Sequence, residues 1–591
     1  MKTKLVVWVA LAACLTLGAA APEKPPFDGR PWNISTGNLS VYFSQCSPVG
    51  AYPRPNVIEP PPSMDQFRAW HNEGLVAMED YVTWGAIERS PGVWDWRQHD
   101  AMEKAMHAAG MKYVAYCWVH FPPTWLRYTP DCTLNRCVEH GEATNYLSVF
   151  DPRTIQWFDH FYKALHDHFG DRIDNVYACI MGPYGEGNYP QLVPDWTDMG
   201  HCHEGYWCDD PYAHAALQQA MKAKYQTIAA LNQAWGTHLD SFDEILPPQE
   251  LNIEKFKPTP AAFASPQDKR RWLDFITWYH QAIIDFAEQS LKTVLKYYPA
   301  EKVRMKPGGN ARGVNPISWG TYCPGYAKMA APYHVELQPA DSGGAVFGDK
   351  WMGTAYQFYG TILGTEPAAG MDRRTFLRRI FSDASCGASQ FFTYEFDQHL
   401  DDIHKYVHLY TGHPGETQVA VFCPTTLYRL GGDVSPTVLA CWPLRDFCDF
   451  DVLDELLIQD GALTTARYKA LLVLQPTIID QPILDKLAAF AKAGGKIIVA
   501  GSEPMQNVEG TVWTLPSLEH ISPLKTPHRQ WLTELMPKIA GITGVDGKLD
   551  GIWTLRRGKQ IVLLNSTTKP VRTIVDGQTI EIPHDEIWEN K

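Results

Sequence analysis

Two glutamates stand in company that suits acid–base work. Glu186 lies within "IMGPYGEGNYP", where an apolar run breaks into glycines, prolines and tyrosines, and Glu366 lies within "ILGTEPAAG". A segment this rich in turn formers is costly to order, so one held shape implies a use for it. Glycines let the backbone turn sharply beneath Glu186, while Tyr184, Tyr189 and the prolines offer a partly apolar wall that favours the protonated carboxyl a general acid needs. One carboxyl that protonates a leaving oxygen and a second that attacks, or activates water, is the equipment for breaking a glycosidic bond. A separation of about 5–5.5 Å gives retention of configuration and about 6.5–9.5 Å gives inversion. The competing reading is a structural Pro/Gly loop whose glutamate caps or pairs with a neighbour.

Such a pair needs a frame that gathers distant segments at one end. From about residue 36, eight apolar runs alternate with helical patterns: "LSVYFSQ", "GLVAMEDYV", "MKYVAYCWV", "NVYACIM", "KVRMKPGG", "YHVELQP", "YGTILGTEP" and "SQFFTYEF". Between them, Ile155, Phe158, Tyr162, Leu165 and Phe169 recur at helical spacing, with Asp151 as cap, Pro152 in the first turn and Gly170 as stop. A second helix starts at Asp372, buries Phe376, Leu377, Ile380, Phe381 and Ala384, and ends at Gly387. Strand–helix alternation implies right-handed crossovers and a parallel sheet; eight repeats imply a (β/α)8 TIM barrel over 36–411. Its chemistry belongs at the carboxyl ends of the strands, where Glu186 follows the fourth run and Glu366 ends the seventh.

Other residues at those ends are candidates for sugar stacking or hydroxyl contacts, with packing at the barrel mouth as the alternative for each. They are Trp84, Trp118 and His120 after the second and third runs, and Asn188 and Tyr189 beside Glu186. Asn310, Arg312 and Trp319 follow the fifth run, and Glu336 and Glu395 end the sixth and eighth. Glu88 reads as a turn or salt-bridge residue. The tract after the fourth run, "AHAALQQAMKAKYQTIAALNQAWG" followed by a long helix, is an insertion plus the fourth barrel helix.

Near residue 412 the pattern restarts. Runs "QVAVFCP", "YKALLVLQP" and "KIIVAGSEP" bracket helices "FDVLDELLIQDG" and "DQPILDKLAAFAKAGG", a small doubly wound α/β domain over 412–515. No G-x-G-x-x-G follows its first strand, which speaks against a nucleotide site. Residues 540–591 alternate at period two, as in a small β-sandwich. At the other end, Lys2 and Lys4 precede an apolar run, and "GAAAPEK" supplies small residues for cleavage. Residues 1–21 therefore read as an export signal to the periplasm or exterior; the alternative is a lipid anchor at Cys14 in "LAAC".

The net charge of −14 argues against nucleic acid or an anionic membrane surface as partner. The 21 tryptophans suit an oligo- or polysaccharide substrate, although most such rings are core. Of 13 cysteines, Cys132/Cys137 and Cys202/Cys208 are spaced for short-loop disulfides in an oxidising compartment. "HCHEGYWC" offers His201, Cys202, His203 and Cys208 as zinc ligands, which Cys132 and Cys137 could join. The spacing lacks a C-x-x-C pair, so disulfides or free thiols are the expectation and no metal or other cofactor is assigned.

The order of several motifs resembles glycoside hydrolase family 42 and its relatives in clan A: "WGAIERSPGVWDW", then "AAGMKYVAYCWVHFPPTWL", "LNQAWGTHLDSFDEI", "GTEPAAG" and "CGASQFFTYEF". The resemblance spans roughly residues 36–510. It implies a flavodoxin-like trimerisation domain and a small β domain after the barrel, hence a homo-oligomer, a trimer by resemblance. It implies Glu186 as acid/base, Glu366 as nucleophile, and retaining hydrolysis of terminal β-galactosides or β-mannosides without a cofactor. One departure stands out: clan A enzymes usually carry asparagine before the acid/base, where it binds the sugar 2-hydroxyl, and here Gly185 stands there. "GPYGEGNYP" also resembles the acid loop of β-amylases, an inverting family. Inverting or endo-acting hydrolysis and a non-catalytic glycan-binding barrel thus remain alternatives.

Overall fold

Seven strands lie side by side in chain order and all pair in parallel: β1 (Ser35–Gly37), β2 (Ala77–Thr83), β3 (Lys112–Trp118), β4 (Asn175–Ala178), β5 (Val303–Met305), β6 (Glu336–Leu337) and β7 (Ile362–Leu363). This is a computed structural model that describes residues 35–37, 63–193, 199–252, 257–308, 315–339, 345–366, 371–394, 396, 398–475, 477–524, 530–544, 551–575 and 577–590. The first apolar run, at 39–45, and the export signal lie outside the described residues. The strand pairing with β2 comes instead from Ser35–Gly37, in register with Ala77–Glu79. In the eighth run, Phe392 forms a single bridge.

The sheet is strongly curled. Neighbouring strands lie about 4.8 Å apart, so a flat sheet would hold β2 and β7 about 24 Å from each other. Yet Lys306, just after β5, reaches Glu79 in β2 at 3.3 Å and Glu366, after β7, at 2.7 Å. Phe392 and Tyr394 of the eighth run meet the same group: the lysine ammonium sits 5.4 Å from the Phe392 ring, and the Tyr394 hydroxyl donates to Glu366.

Helices cross between the strands as the apolar periodicity requires. Asp151 caps helix Pro152–Phe169 by accepting from the Arg153 amide, Pro152 occupies its first turn, and Gly170 ends it. That helix buries Phe158, Phe161, Tyr162, Leu165 and Phe169, each contributing about 1.5–3 kcal/mol by leaving water. Phe158 meets Phe286 of helix Pro266–Val294 edge to face at 5.4 Å. Asp372 caps Arg373–Cys386, and Gly387 closes it at φ +83°, a left-handed conformation that a side chain would strain. Helices Pro211–Tyr225 and Ile228–Trp235 form the insertion between β4 and β5.

A second parallel sheet holds β8 (Val419–Cys423), β9 (Asp451–Asp454), β10 (Ala470–Val473), β11 (Lys496–Ala500) and β12 (Glu519–Ile521), in the order β9-β8-β10-β11-β12. That 2-1-3-4-5 order is the flavodoxin-type arrangement. It corrects one expectation: "FDVLDELLIQDG" is not a single helix, because Asp451–Asp454 pairs as a buried strand beside β8 and only Glu455–Gln459 is helical. The last residues form two small antiparallel sheets, one of Ile552–Arg557, Gln560–Asn565 and Ile587–Glu589 and one of Val571–Val575 and Gln578–Ile582. Arg373 and Arg374 of the barrel helix bind Glu586 and Asp585 of this unit at 2.9 and 2.7 Å. Among the described residues, no helix is long and apolar enough to cross a membrane.

Phe158→Ala should destabilise the curled sheet and its helices by about 3–5 kcal/mol through the cavity it leaves. Urea unfolding followed by tryptophan fluorescence should show the lower midpoint; an unchanged midpoint would contradict this packing.

Candidate active site

The loop that carries Glu186 is folded back on itself. The Gly185 amide donates to the Gly182 carbonyl at 2.7 Å, and the amides of Met181 and Gly182 donate to the Glu186 carbonyl at 3.1 and 2.9 Å. Each glycine answers a steric demand. A Cβ on Gly182 would fall 1.4 Å from Asn188 Oδ1, and one on Gly187 would fall 2.5 Å from the Tyr326 ring and 2.6 Å from the Pro307 carbonyl. Gly185 has φ +73°, and its Cβ would lie 3.2 Å from Cys179 Sγ and 3.5 Å from the His120 ring. Asparagine tolerates a positive φ better than most residues, but here its side chain would run into Cys179 and His120. The departure from the clan A pattern therefore has a local cause.

Neighbours pin this loop from several strands. From the segment after β3, His120 donates through Nε2 to the Pro183 carbonyl at 2.9 Å, and burial holds its pKa down to about 3, which leaves a neutral ring. From β3, the Tyr116 hydroxyl donates to the Tyr184 carbonyl. The Gly187 amide donates to the Lys306 carbonyl at 2.9 Å, tying the loop to the end of β5, and the Tyr189 amide donates to the Trp319 carbonyl at 2.8 Å.

Glu366, after β7, is held at both oxygens: Oε1 accepts from the Tyr394 hydroxyl, and Oε2 pairs with Lys306 Nζ at 2.7 Å. The Thr365 carbonyl before it accepts from Gln338 Nε2 at 3.1 Å. Lys306 is 1% exposed at its side chain and lies over the Tyr116 and Tyr177 rings at 4.0 and 5.1 Å. Burial pushes its pKa down, but the carboxylates of Glu366, Glu79 and Glu186 outweigh that and hold it above the ordinary lysine value. Glu79, wholly buried and bonded to the Tyr177 hydroxyl, moves upward: burial outweighs the pull of Lys306, and Glu366 adds to it. One ammonium thus faces two carboxyls, and Glu79 is the one driven toward its neutral form.

Glu366 pairs with Lys306 Nζ at 2.7 Å, and the residue after Glu186 is tied to the Lys306 carbonyl through the Gly187 amide at 2.9 Å, so both glutamates are anchored to the end of β5. The other candidates divide. Trp118 packs against Tyr81 and Tyr184 at 5.5 and 6.3 Å, supporting the acid loop from behind, and Trp319 is half-buried beside it. Five other candidates contact other parts of the chain. Trp84 turns toward the helix layer, donating to Glu88 at 2.6 Å and packing on Trp157 and His160. Tyr189 stacks on Tyr279 at 3.9 Å and donates to its carbonyl, again on the helix side. His120 holds the loop backbone, and Asn188 fills the space over Gly182. Glu336 pairs with buried Arg304 of the adjacent strand at 3.6 Å and packs over Gly364. Asn310, Arg312 and Glu395 lie outside the described residues. Glu88 accepts from Trp84, Gly92 and His160; burial raises its pKa, but these bonds bring it below the ordinary value, as suits a structural anchor.

Sequence reasoning missed Glu79, Lys306, Tyr116 and Tyr394. Two signals were available: a charged pair, Glu79-Asp80, inside an apolar strand, and a lysine immediately after β5, the position where barrel chemistry is sought. Of the two expected states, disulfides or free thiols, the structure shows free thiols at Cys132, Cys137, Cys202 and Cys208. Cys137 neighbours His140, His201 and His203 rather than another cysteine.

Removing the cation from this cluster should be costly. Lys306→Met leaves buried carboxyls without a counter-charge and should destabilise by about 3–5 kcal/mol, and adding Glu79→Gln should recover part of that loss. Equal denaturation midpoints for Lys306→Met and the parent would contradict the coupling.

Comparison with known proteins bears on this site. The sequence model of Glycosyl hydrolase family 14 matches residues 127–333, a stretch that includes Glu186 and Lys306 but stops short of Glu366. The thermophilic β-amylase of Thermoanaerobacterium thermosulfurigenes is 30% identical over 240 residues, covering 37% of this chain and 41% of that protein. The β-galactosidase BgaH of Haloferax lucentense is 25% identical over 186 residues, covering 30% of this chain and 25% of that protein. The chain spans less than half the length of these curated relatives. Among solved structures, Gan42B, a GH42 β-galactosidase from G. stearothermophilus, superposes with a TM-score of 0.66 at 13% identity, covering 96% of this chain and 99% of that one. The exo-carrageenase GH42 from Bacteroides ovatus gives 0.61 at 10% identity, covering 88% and 80%. At such identities these likenesses describe the fold alone: an α/β protein with a parallel-strand sheet like that of these family 42 enzymes. The likeness to family 42 is thus one of structure, whereas the matching sequence model over 127–333 is that of family 14.

Proposed function

We propose that the chain hydrolyses glycosidic bonds, with Glu186 as general acid/base and Glu366 as the second carboxylate. The observation that carries this is that Lys306, at the end of β5, pairs with Glu366 after β7 at 2.7 Å while its carbonyl holds the Gly187 amide beside Glu186 at 2.9 Å. In the first reading the reaction is retaining. Glu186 protonates the glycosidic oxygen while a Glu366 oxygen attacks the anomeric carbon and the leaving sugar departs. Glu186 then takes a proton from water, which attacks the same carbon and frees Glu366. Lys306 supplies the counter-charge for Glu366, and Tyr394 fixes the direction of its other oxygen. Tyr184 and Trp319, half-buried beside the acid loop, offer surface for a sugar ring.

Substrate and setting belong to the same proposal. A fold likeness that extends over nearly the whole chain of a β-galactosidase supports terminal β-galactosides or β-mannosides as substrates, on a closed (β/α)8 barrel. Export through residues 1–21 and assembly as a homo-oligomer through the flavodoxin-type sheet accompany that reading. A specific observation favours a second one: the family 14 match contains the acid loop, and relatives matched there are named β-amylases, which supports inversion with Glu366 activating water.

Nuclear magnetic resonance of the first-formed sugar separates the two. Retention of the anomeric configuration is expected, and inversion would remove Glu366 as nucleophile. Glu186→Gln and Glu366→Gln should each lower turnover by about 100-fold or more, roughly 2.7 kcal/mol of barrier, with the melting temperature of Glu186→Gln close to the parent. Near-normal turnover in either variant removes that residue from the mechanism. A panel of nitrophenyl glycosides that are bound but never cleaved would replace hydrolysis with glycan binding.

A further inference from the structure

Arg378 stands on the barrel helix Arg373–Cys386, and its neighbours on that helix point two ways. Arg379 turns inward, donating to Thr365 Oγ1 at 3.1 Å. Arg374 and Arg378, one turn apart, face the C-terminal β unit: Arg374 Nε donates to Asp585 Oδ1 at 2.7 Å, and Arg378 Nη2 donates to the Ser566 carbonyl at 3.0 Å. Arg374 thus has a carboxylate, whereas among the described residues Arg378 has that carbonyl as its only acceptor. Its Nε is buried and makes no hydrogen bond. Burial, together with the charge of Arg374, holds the Arg378 guanidinium below the ordinary arginine value. A guanidinium carries five N–H donors in a planar fork, so most of the recognising capacity of this one is uncommitted.

Arg378 borders a cavity of about 500 Å³ where the barrel helix, the flavodoxin-type unit and the C-terminal β unit meet. Small-molecule sites occupy roughly 300–1,000 Å³ and favour such junctions. Two indoles form the wall. Arg378 Cζ lies 5.9 Å from the ring centres of both Trp442 and Trp553, which are 6.0 Å apart at 47°. Trp553 is buried, so Trp442, half-buried on helix Ser435–Arg445, is the ring with surface to offer. Asp446, at the end of that helix, brings an acceptor. Trp553 Nε1 orients it by donating to Oδ1 at 3.2 Å, and Ser566 Oγ stands 3.3 Å from the same oxygen. Gly551 lets the wall close in: a Cβ there would fall 2.2 Å from Thr567 Cγ2.

Stapling of the units accounts for only part of this arrangement. Cation–π contacts of about 0.5–1 kcal/mol each hold Arg378 between the rings. A staple, however, needs neither a carboxylate beside those rings nor a cavity among side chains that otherwise pack closely. N–H donors, a carboxylate acceptor and an indole face are the set a sugar ring matches, since its hydroxyls both give and accept hydrogen bonds and its C–H face is apolar. An anion would meet the charge of Asp446. We propose that this cavity binds one neutral pyranose ring, stacked on Trp442 with its hydroxyls between Arg378 and Asp446, as a second carbohydrate site. It shares no residue with the acid site, and the inference does not depend on the proposed hydrolysis.

The test uses the full-length Glu186→Gln chain labelled with fluorotryptophan, so that no probe is consumed. The Trp442 resonance is the one absent from a Trp442→Phe sample. Methyl β-galactoside, methyl β-mannoside and methyl α-glucoside are each titrated in fluorine NMR. At least one should move the Trp442 resonance saturably, with a Kd on the order of 1 mM. Arg378→Gln should weaken that response about tenfold, and so should Asp446→Asn, which keeps an acceptor for Trp553. A Trp442 resonance that no sugar moves overturns the site, as does a response unchanged in both variants. A response to methyl galacturonoside about tenfold tighter than to any neutral sugar overturns neutral recognition. Cleavage of nitrophenyl glycosides by the parent chain without a shift at Trp442 removes this site and leaves the hydrolysis reading; a shift without cleavage does the reverse.

Discussion

An ammonium ion withdrawn from water costs several kcal/mol unless opposite charge lies in contact with it. Lys306 meets that requirement with Glu366 at 2.7 Å, Glu79 at 3.3 Å and the faces of Tyr116 and Tyr177. These groups come from β2, β3, β4 and the ends of β5 and β7, so one side chain fixes how far the sheet must curl. Its backbone carbonyl also accepts from Gly187, beside Glu186. Position, charge and curvature at the strand ends are therefore one problem with one solution. The upward shift of Glu79 belongs to it, since burial outweighs the pull of the single cation.

The acid loop is rigid for a different reason, close packing. Gly182, Gly185 and Gly187 each stand where a methyl group would strike a neighbour, and His120, Tyr116 and Tyr189 hold the loop from three directions. This makes Glu186 a side chain on a fixed backbone, which is what proton transfer to a defined oxygen requires.

Parts of this were legible in the residues, where the signal is local. Asp151 with Pro152 and Gly170, and Asp372 with Gly387, announce their helices because caps act within one turn. Glu186 and Glu366 could be picked out because strand–helix alternation places them at the ends of the fourth and seventh runs. Non-local features were not legible. Lys306 in "RMKPGG" looks like a solvated turn until β2 and β7 curl onto it. Asp451–Asp454 fits helical and strand periods alike, and only pairing with β8 decides. His140 is separated from His201 and His203 by the whole fourth strand and the acid loop, so no spacing rule joins them. Side-chain direction is non-local as well: Trp84 and Tyr189 follow strands, yet they turn toward the helix layer.

The most direct measurement is a crystal structure of the Glu186→Gln chain soaked with an uncleaved glycoside. The account predicts a sugar ring against Tyr184 or Trp319, with its anomeric carbon in contact with a Glu366 oxygen and its glycosidic oxygen against residue 186. A ring bound elsewhere, or one whose anomeric carbon reaches only one of the two side chains, would contradict it.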